Sequence, residues 1–271
     1  MSGVLDASTS ADWRRPDPSN MLYMNLDTGQ IVFELAQHFA PAHAENIRTL
    51  VSERFFDGLA VVRSQENYVA QWGDPNAGED DARDHGDAAS SLDPEFYRSA
   101  IGFPFSRIDS HDAYANEVGF SMGFPAGRDG PEGRAWLTHC FGMLGVGRGN
   151  EPDSGSGAEL YVVTGHAPRH LDRNVTLVGR VLDGIEHLTT LPRGTGPLGF
   201  YESASENVPI RSIRMGDELP QNERLDIEIL RTDTVTFSLL VEARRYRAEP
   251  WFVDPADRIG VCNVPLPTRI R

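Results

Sequence analysis

The sequence contains no lysine, and the 25 residues counted as lysine or arginine are all arginine. This absence excludes chemistries that need a lysine amine, such as Schiff-base formation or the phosphate-binding lysine of a P-loop. Every permanently positive side chain is therefore a guanidinium. That group is planar, always charged and suited to orienting carbonyls and anions rather than to transferring protons.

Positive charge is also outnumbered by negative charge, since the 40 acidic residues give the chain a formal net charge of −15. An acidic chain without a basic run is a poor partner for nucleic acid or an anionic membrane surface. No apolar run reaches the roughly 18 residues of a membrane span. The first 20 residues are polar and lack the apolar segment of a signal peptide.

Cysteine is nearly absent, and Cys140 and Cys262 are too few for a four-cysteine zinc site. The two can form one disulfide or remain buried thiols, and both alternatives stay open at this point. The eight histidines show no H-E-x-x-H motif, and Pro168 lies between His166 and His170. We therefore expect neither a metal nor a cofactor.

Glycine and proline are plentiful, with 26 and 18 copies, which favours short strands and turns over long helices. Helices are predicted from Pro41 to about Arg54 and over Asp183–Leu191. Strands are predicted at Met21–Leu26, Ile31–Leu35, Leu59–Arg63, Tyr68–Trp72, Met143–Val146, Glu159–Thr164, Thr176–Val181 and Ile210–Met215. About eight short strands without βαβ alternation indicate an antiparallel barrel or sandwich.

Two glycine-rich motifs point to other chemistry. Gly119–Gly123 fits G-x-S-x-G, the nucleophile elbow of serine hydrolases, with Ser121 as the nucleophile. The elbow needs a helix directly after the serine, and Phe124-Pro125 does not begin one well. Gly145–Gly149 is similar to a phosphate-binding loop but lacks both the full spacing and a following helix.

A more specific pattern surrounds Arg63, which lies in a largely apolar segment. Phe56-Asp57-Gly58 leads through Val61-Val62 to Arg63, and Gln71-Trp72-Gly73-Asp74-Pro75 follows. Other segments of interest flank this pattern along the chain. Ala40-Pro41 and Asn46 come before it, and after it come Gly142–Val146, Glu159–Val162, Leu171-Asp172 and Gly179–Val181. These segments resemble the cyclophilins, whose patterns read Y-D-G-x-x-F-H-R, F-M-x-Q-G-G-D-P, G-x-L-S-M and Q-F-F-I.

This resemblance implies a mainly β fold, a closed eight-stranded antiparallel barrel capped by two helices. It divides the chain into a flexible leader (1–20), a barrel domain (21–218) with an insertion at about 75–140, and a C-terminal extension (219–271) packed on the barrel. The insertion begins with a Gly-, Asp- and Ala-rich loop. Its many aromatic residues then indicate order. The extension reads as a strand at Leu225–Leu230 and a helix at Thr234–Arg247.

Cyclophilins are peptidyl-prolyl cis/trans isomerases (rotamases) that act in protein folding, so the resemblance implies an enzyme of this class without metal or cofactor. Its catalytic residues would be Arg63 and Gln71. The substrate-binding residues would be Tyr68, Val69, Gly147, Arg148, Gly149, Glu159, Tyr161, His170 and Leu171. Partners would be proline-containing peptides or unfolded proteins, with no nucleic acid and no membrane span, and a monomer is expected.

Several positions depart from the family pattern. Val61-Val62 replaces F-H, Glu159 replaces a glutamine, and His170 and Val175 replace a tryptophan and a histidine. Two alternatives therefore accompany the isomerase prediction: a proline-peptide-binding or chaperone-like module with little catalysis, and a serine hydrolase using Ser121. The leader resembles a mature exported N-terminus, which favours the periplasm over the cytoplasm and permits a disulfide.

Overall fold

The computed structural model describes residues 2–271, which divide into two compact units. The first, here called the barrel unit, comprises Asp17–Phe96 and His139–Arg224. The second unit comprises residues 2–16, Tyr97–Thr138 and Leu225–Arg271. Most of the C-terminal extension and most of the predicted insertion thus belong to one unit, whereas the packing of the extension on the barrel stays a prediction.

The strands are short, as the glycine and proline content predicts. They are β1 (Trp13–Arg14), β2 (Met21–Leu26), β3 (Gly29–Leu35), β4 (Ala60–Ser64), β5 (Val69–Gly73), β6 (Arg98–Ser99), β7 (Ser106–Ile108), β8 (Glu117–Ser121), β9 (Phe124–Arg128), β10 (Arg134–Leu137), β11 (Met143–Val146), β12 (Leu160–Val163), β13 (Leu177–Asp183), β14 (Val208–Met215), β15 (Ile227–Leu230) and β16 (Thr268–Ile270). The helices are α1 (Ser2–Asp6), α2 (Pro41–Ser52), α3 (Glu186–Thr189) and α4 (Val235–Arg245).

The barrel unit contains a closed antiparallel barrel, which confirms the predicted fold. Its strand order is β11-β12-β5-β4-β14-β2-β3-β13. Tyr23, Phe33 and Trp72 are among its largest fully buried side chains. Helix α2 begins at Pro41, where the missing N–H costs nothing, and it buries Ala44, Ile47, Leu50 and Val51. Helix α3 is only four residues long, so the prediction of a helix from Asp183 to Leu191 is too long.

The second unit holds a five-stranded sheet ordered β6-β10-β9-β8-β7 and a three-stranded sheet ordered β1-β15-β16. Insertion and extension meet within it. The rings of Phe120 and Phe237 pack edge to face at 5.0 Å, and the Gly123 N–H donates to Thr232 Oγ1 at 3.2 Å. The sequence predicts order in the insertion but not this sheet.

The leader is predicted to be flexible, and its described residues include the short strand β1. Trp13 and Arg14 pair with Leu230 and Ile229 in strand β15, and the guanidinium of Arg269 lies 4.1 Å from the Trp13 ring centre. Trp13 is 9% exposed, so this aromatic residue anchors the segment in a core. Both cysteines are disulfide-bonded, which decides between the two alternatives left open for them.

Candidate active site

A row of residues in register crosses four adjacent barrel strands. Arg63 of β4 lies opposite Gln71 of β5, Gln71 lies opposite Tyr161 of β12, and Tyr161 lies opposite Gly145 of β11. The register of β4 shifts between Val61 and Arg63, a bulge of the kind that re-aims a side chain beside an active site. Residues far apart in the chain are thus neighbours on the barrel wall.

Arg63 is held by three neutral oxygens. Its Nε donates to the Leu198 carbonyl at 2.7 Å, one Nη donates to Gln71 Oε1 at 2.8 Å, and the other donates to Gln65 Oε1. The guanidinium carbon lies 5.5 Å from the Tyr68 ring and 5.1 Å from the Phe200 ring. Three of five N–H groups are engaged in these bonds, so two can still meet a substrate.

Burial lowers the pKa of Arg63, and the charges of Tyr68 and Glu159 oppose that shift. Arginine stays protonated in proteins even so, and the half-buried guanidinium is a permanent cation. Gln71 connects the guanidinium of Arg63 with the carboxylate of Glu159, because its Oε1 accepts from Arg63 while its Nε2 donates to Glu159 Oε1. The amide of Gln71 is therefore fixed in one orientation.

A cavity of about 350 Å³ opens beside this row. Tyr68, Val69, Tyr161 and Leu171 supply rings and apolar side chains to its wall, and Arg63 and Gln71 supply polar groups. The remaining lining residues are Val146, Gly147, Arg148, Gly149, Asn150 and Val175. A hollow that combines apolar side chains with convergent polar groups is a common form of a ligand site.

Nine of the eleven predicted site residues line this cavity. Glu159 and His170 do not, but each contacts a lining residue: Glu159 through Gln71, and His170 by stacking on Tyr68 with ring centres 6.5 Å apart. Glu159 therefore forms its hydrogen bond at this site with the Gln71 amide. Val146, Asn150 and Val175 were missed as lining residues, although each lies next to a predicted segment.

The sequence also missed a buried polar chain behind the cavity. The Tyr161 hydroxyl lies 2.8 Å from His139 Nε2, and His139 Nδ1 lies 3.0 Å from Asp172 Oδ1. Asp172 Oδ2 accepts from Arg169 Nε at 2.6 Å. All four residues are less than a tenth exposed. No spacing in the sequence signals this chain, because His139 and Asp172 belong to separate segments.

The pKa values in this chain follow from burial and pairing. Burial lowers the pKa of His139 although the Asp172 carboxylate opposes it, and burial raises the pKa of the Tyr161 phenol. Burial alone would raise the pKa of Asp172, but the hydrogen bond from His139 and the charge of Arg169 outweigh it and lower that pKa. The arrangement is a neutral histidine between a carboxylate and a phenol.

The serine hydrolase interpretation is wrong on the geometry around Ser121. Strand β8 ends at Ser121, and strand β9 begins at Phe124 after a two-residue turn. Met122 and Gly123 in that turn have φ of 51° and 92°, as a tight hairpin turn requires. A nucleophile elbow has a helix after the serine, and here a strand returns instead. Ser121 is also fully buried.

Residues 2–271 contain no group of three or more His, Cys, Asp or Glu side chains that could hold a metal ion. Within the same residues, no helix has the length and apolar character needed to cross a membrane.

The barrel and its cavity define the class of protein, and comparisons with known proteins identify the family. The family model "Cyclophilin type peptidyl-prolyl cis-trans isomerase/CLD" matches residues 21–215. The chain therefore belongs to the cyclophilin family and is a peptidyl-prolyl cis-trans isomerase.

The chain is similar to relatives from several bacteria. A probable peptidyl-prolyl cis-trans isomerase of Brucella suis biovar 1 is 23% identical over 179 residues, which cover 66% of this chain and 74% of that protein. A putative thylakoid lumen peptidyl-prolyl cis-trans isomerase of Synechocystis is 27% identical over 180 residues, 63% of this chain and 43% of that protein. The crystal structure of cyclophilin AquaCyp293 from Hirschia baltica is 25% identical, with a TM-score of 0.75, and the match covers 95% of this chain and 93% of that one.

Proposed function

We propose that the cavity binds a proline residue of a peptide or unfolded protein, and that Arg63 accelerates rotation about the bond before it. The observation that carries the proposal is the guanidinium of Arg63, held by neutral oxygens beside a cavity that Tyr68, Val69 and Leu171 help to line. No nucleophile, base or metal is needed, because no covalent bond is made or broken.

The uncatalysed rotation is slow because amide resonance is lost in the twisted state, at a cost of about 20 kcal/mol. In that state the proline nitrogen becomes pyramidal and gains a free electron pair. A donor aimed at this nitrogen stabilises the twisted amide more than the planar one, which is the condition for catalysis. Arg63 has two N–H groups left for this contact.

The other cavity residues have supporting roles in the proposal. Tyr68, Val69, Tyr161 and Leu171 hold the proline ring, and Gln71 positions Arg63 or binds the substrate carbonyl. Gly147, Arg148 and Gly149 pair with the extended peptide backbone, which accounts for the glycine-rich loop without a phosphate. Glu159 and His170 act indirectly. Glu159 holds Gln71 by a hydrogen bond, and His170 stacks on Tyr68.

The proposal extends to an exported enzyme that acts in protein folding in the periplasm. Two disulfide-bonded cysteines and the name of the thylakoid lumen relative support this location, because structural disulfides belong to oxidising compartments. A chaperone-like role and a monomeric state stay predictions.

The test compares Arg63→Ala with Arg134→Ala. Arg134 is an exposed arginine of the second unit that pairs with Asp129. The measurement is the rate of cis/trans isomerisation of an Ala-Pro peptide. We expect Arg63→Ala to lower kcat/KM by about 10²- to 10³-fold, the usual effect of removing a transition-state donor.

Arg134→Ala should leave that rate unchanged, and both variants should keep the wild-type circular dichroism spectrum. Equal rates in Arg63→Ala and wild type would refute the role of Arg63. If both rates also equalled the uncatalysed rate while the peptide still bound, the barrel would be a proline-binding module.

A further inference from the structure

The side chain of Tyr161, a wall residue of the cavity, is held both at its ring and at its hydroxyl. Its ring packs in a cluster with Val69 and Val163, and Tyr68 and Val175 border that cluster. Its phenol end lies directly over Gly145, where an added Cβ would come within 2.3 Å of the Tyr161 Cζ atom. The ring can occupy this place only because residue 145 has no side chain.

Two departures from the family pattern coincide here. The cyclophilin pattern has a serine where this chain has Gly145 and a phenylalanine where it has Tyr161. The hydroxyl and the space beneath it thus occur together in this chain. The partner of the hydroxyl is His139 Nε2 at 2.8 Å.

The tautomer of His139 follows from its other contacts. Asp172 Oδ1 accepts from the His139 backbone N–H at 2.9 Å and lies 3.0 Å from Nδ1. The carboxylate can only accept, so Nδ1 carries the proton and Nε2 is the acceptor. Nε2 then accepts from the Tyr161 hydroxyl. Arg169 holds the opposite oxygen of Asp172 and keeps the carboxylate in place.

We propose that His139 is a positioning residue that fixes the Tyr161 wall of the proline cavity and so sets substrate affinity. The inference rests on the proposed function of the cavity, but it concerns binding rather than the chemistry of Arg63. His139 is fully buried and does not line the cavity, and it contacts the lining residue Tyr161 through the hydroxyl. Its influence on a substrate must therefore pass through Tyr161.

The experiment uses two replacements that separate the two ring nitrogens of His139. Asn in His139→Asn can reproduce the Nδ1 contact with Asp172 but is too short to reach Tyr161. Gln in His139→Gln can place an oxygen near the Nε2 position and accept from the hydroxyl. Tyr161→Phe and the double variant His139→Asn/Tyr161→Phe complete a cycle. The measurements are the dissociation constant and the kcat and KM for one Ala-Pro peptide.

We expect His139→Asn to weaken peptide binding about tenfold, the equivalent of ~1.4 kcal/mol, with kcat nearly unchanged. His139→Gln should restore affinity to within about twofold. Tyr161→Phe should weaken binding by a similar factor, and the double variant should bind no more weakly than either single variant. Such complete coupling is not expected of a histidine that only stabilises the fold.

Equal affinities for the Asn and Gln variants would overturn the inference. So would a double variant whose loss is the product of the single losses. If His139→Asn does not fold, Tyr161→Phe alone decides, because unchanged peptide binding in that variant contradicts the role of the hydroxyl. Peptide binding is measured without turnover, so a failure of Arg63 as catalyst is distinguishable from a failure of this inference.

Discussion

Arg63 of the barrel unit is held in a different way from three arginines of the second unit. In the second unit, Arg134, Arg231 and Arg269 each pair with a carboxylate. In the barrel unit, Arg63 is fixed by a backbone carbonyl and two side-chain amides. A carboxylate partner neutralises a guanidinium, whereas neutral oxygens orient it and leave its charge available. The number of arginines therefore says little about which of them is functional. The kind of acceptor that holds an arginine separates a structural cation from a functional one.

Aromatic residues build a core in both units, and in the barrel unit they also line the cavity. Phe237 packs on Phe120 in the second unit, and Phe33 packs near Trp72 in the barrel with ring centres 5.9 Å apart. All four side chains are almost fully buried. These residues build cores, while Tyr68 and Tyr161 in the barrel line a cavity. Variants in matched positions can therefore test whether catalysis depends on the barrel unit alone.

The largest expected effect comes from removing a core ring in either unit. Phe237→Ala and Phe33→Ala should each lower the free energy of unfolding by about 3–5 kcal/mol, because each leaves a large cavity. Denaturant unfolding followed by circular dichroism measures the loss. We expect Phe33→Ala to lower Ala-Pro isomerisation in step with the unfolding of the barrel.

Phe237→Ala should leave the isomerisation rate of the folded protein near the wild-type value. An equal loss of kcat/KM in the two variants, measured where both are folded, would show that the second unit contributes to catalysis.

A smaller effect is expected from adding a methyl group to a crowded glycine in each unit. A Cβ at Gly145 would lie 2.3 Å from Tyr161 Cζ, and one at Gly119 would lie 2.3 Å from the Ser106 carbonyl oxygen. Gly145→Ala and Gly119→Ala should each cost about 1–3 kcal/mol of stability, the usual cost of overpacking. Only Gly145→Ala should also raise KM, because it displaces the cavity wall. A rise in KM for Gly119→Ala would contradict the comparison.

The smallest effect is a dependence of stability on pH that comes from His139. Its pKa is lowered in the folded protein from 6.5, chiefly by burial. The unfolded chain therefore binds a proton that the folded chain does not, and stability falls as the pH drops below about 6.5. The slope cannot exceed ~1.4 kcal/mol per pH unit for one group.

Thermal unfolding between pH 7 and 5 measures this slope, and His139→Gln should flatten it. The carboxyl groups of Glu95 and Asp172 have pKa values lowered from 4.5 and 3.8, so their contribution is lost at lower pH. An unchanged slope in His139→Gln would show that His139 is not the titrating group.

The barrel was predictable because its strands alternate and its motifs are local. Strands β2 and β11 have the predicted bounds, and most others differ by one or two residues at an end. The five-stranded sheet of the second unit was not predictable in this way. Strand β9 contains Pro125 and Gly127, although it lies between two partner strands. Proline within a run argues against an inner strand, so sequence rules miss it.

The cavity was predictable where a residue belongs to a motif, as Arg63 and Gln71 do. The contacts that fix those residues were not. The Leu198 carbonyl reaches Arg63 from a loop 135 residues away, and Leu198 has a φ of 57° that its residue type rarely adopts. His139 and Asp172 likewise meet only through the closed barrel. A polar contact between distant segments leaves no local periodicity from which to infer it.

The row from Arg63 through Gln71 and Tyr161 to Gly145 has a consequence for folding. Its members are up to 98 positions apart in the chain, so the row exists only after strands β4, β5, β12 and β11 have paired. Contacts between distant segments form slowly because the chain between them must first be ordered. Recovery of isomerase activity during refolding should therefore lag behind helix formation and coincide with closure of the barrel. The activity of the enzyme thus measures whether its barrel strands have paired.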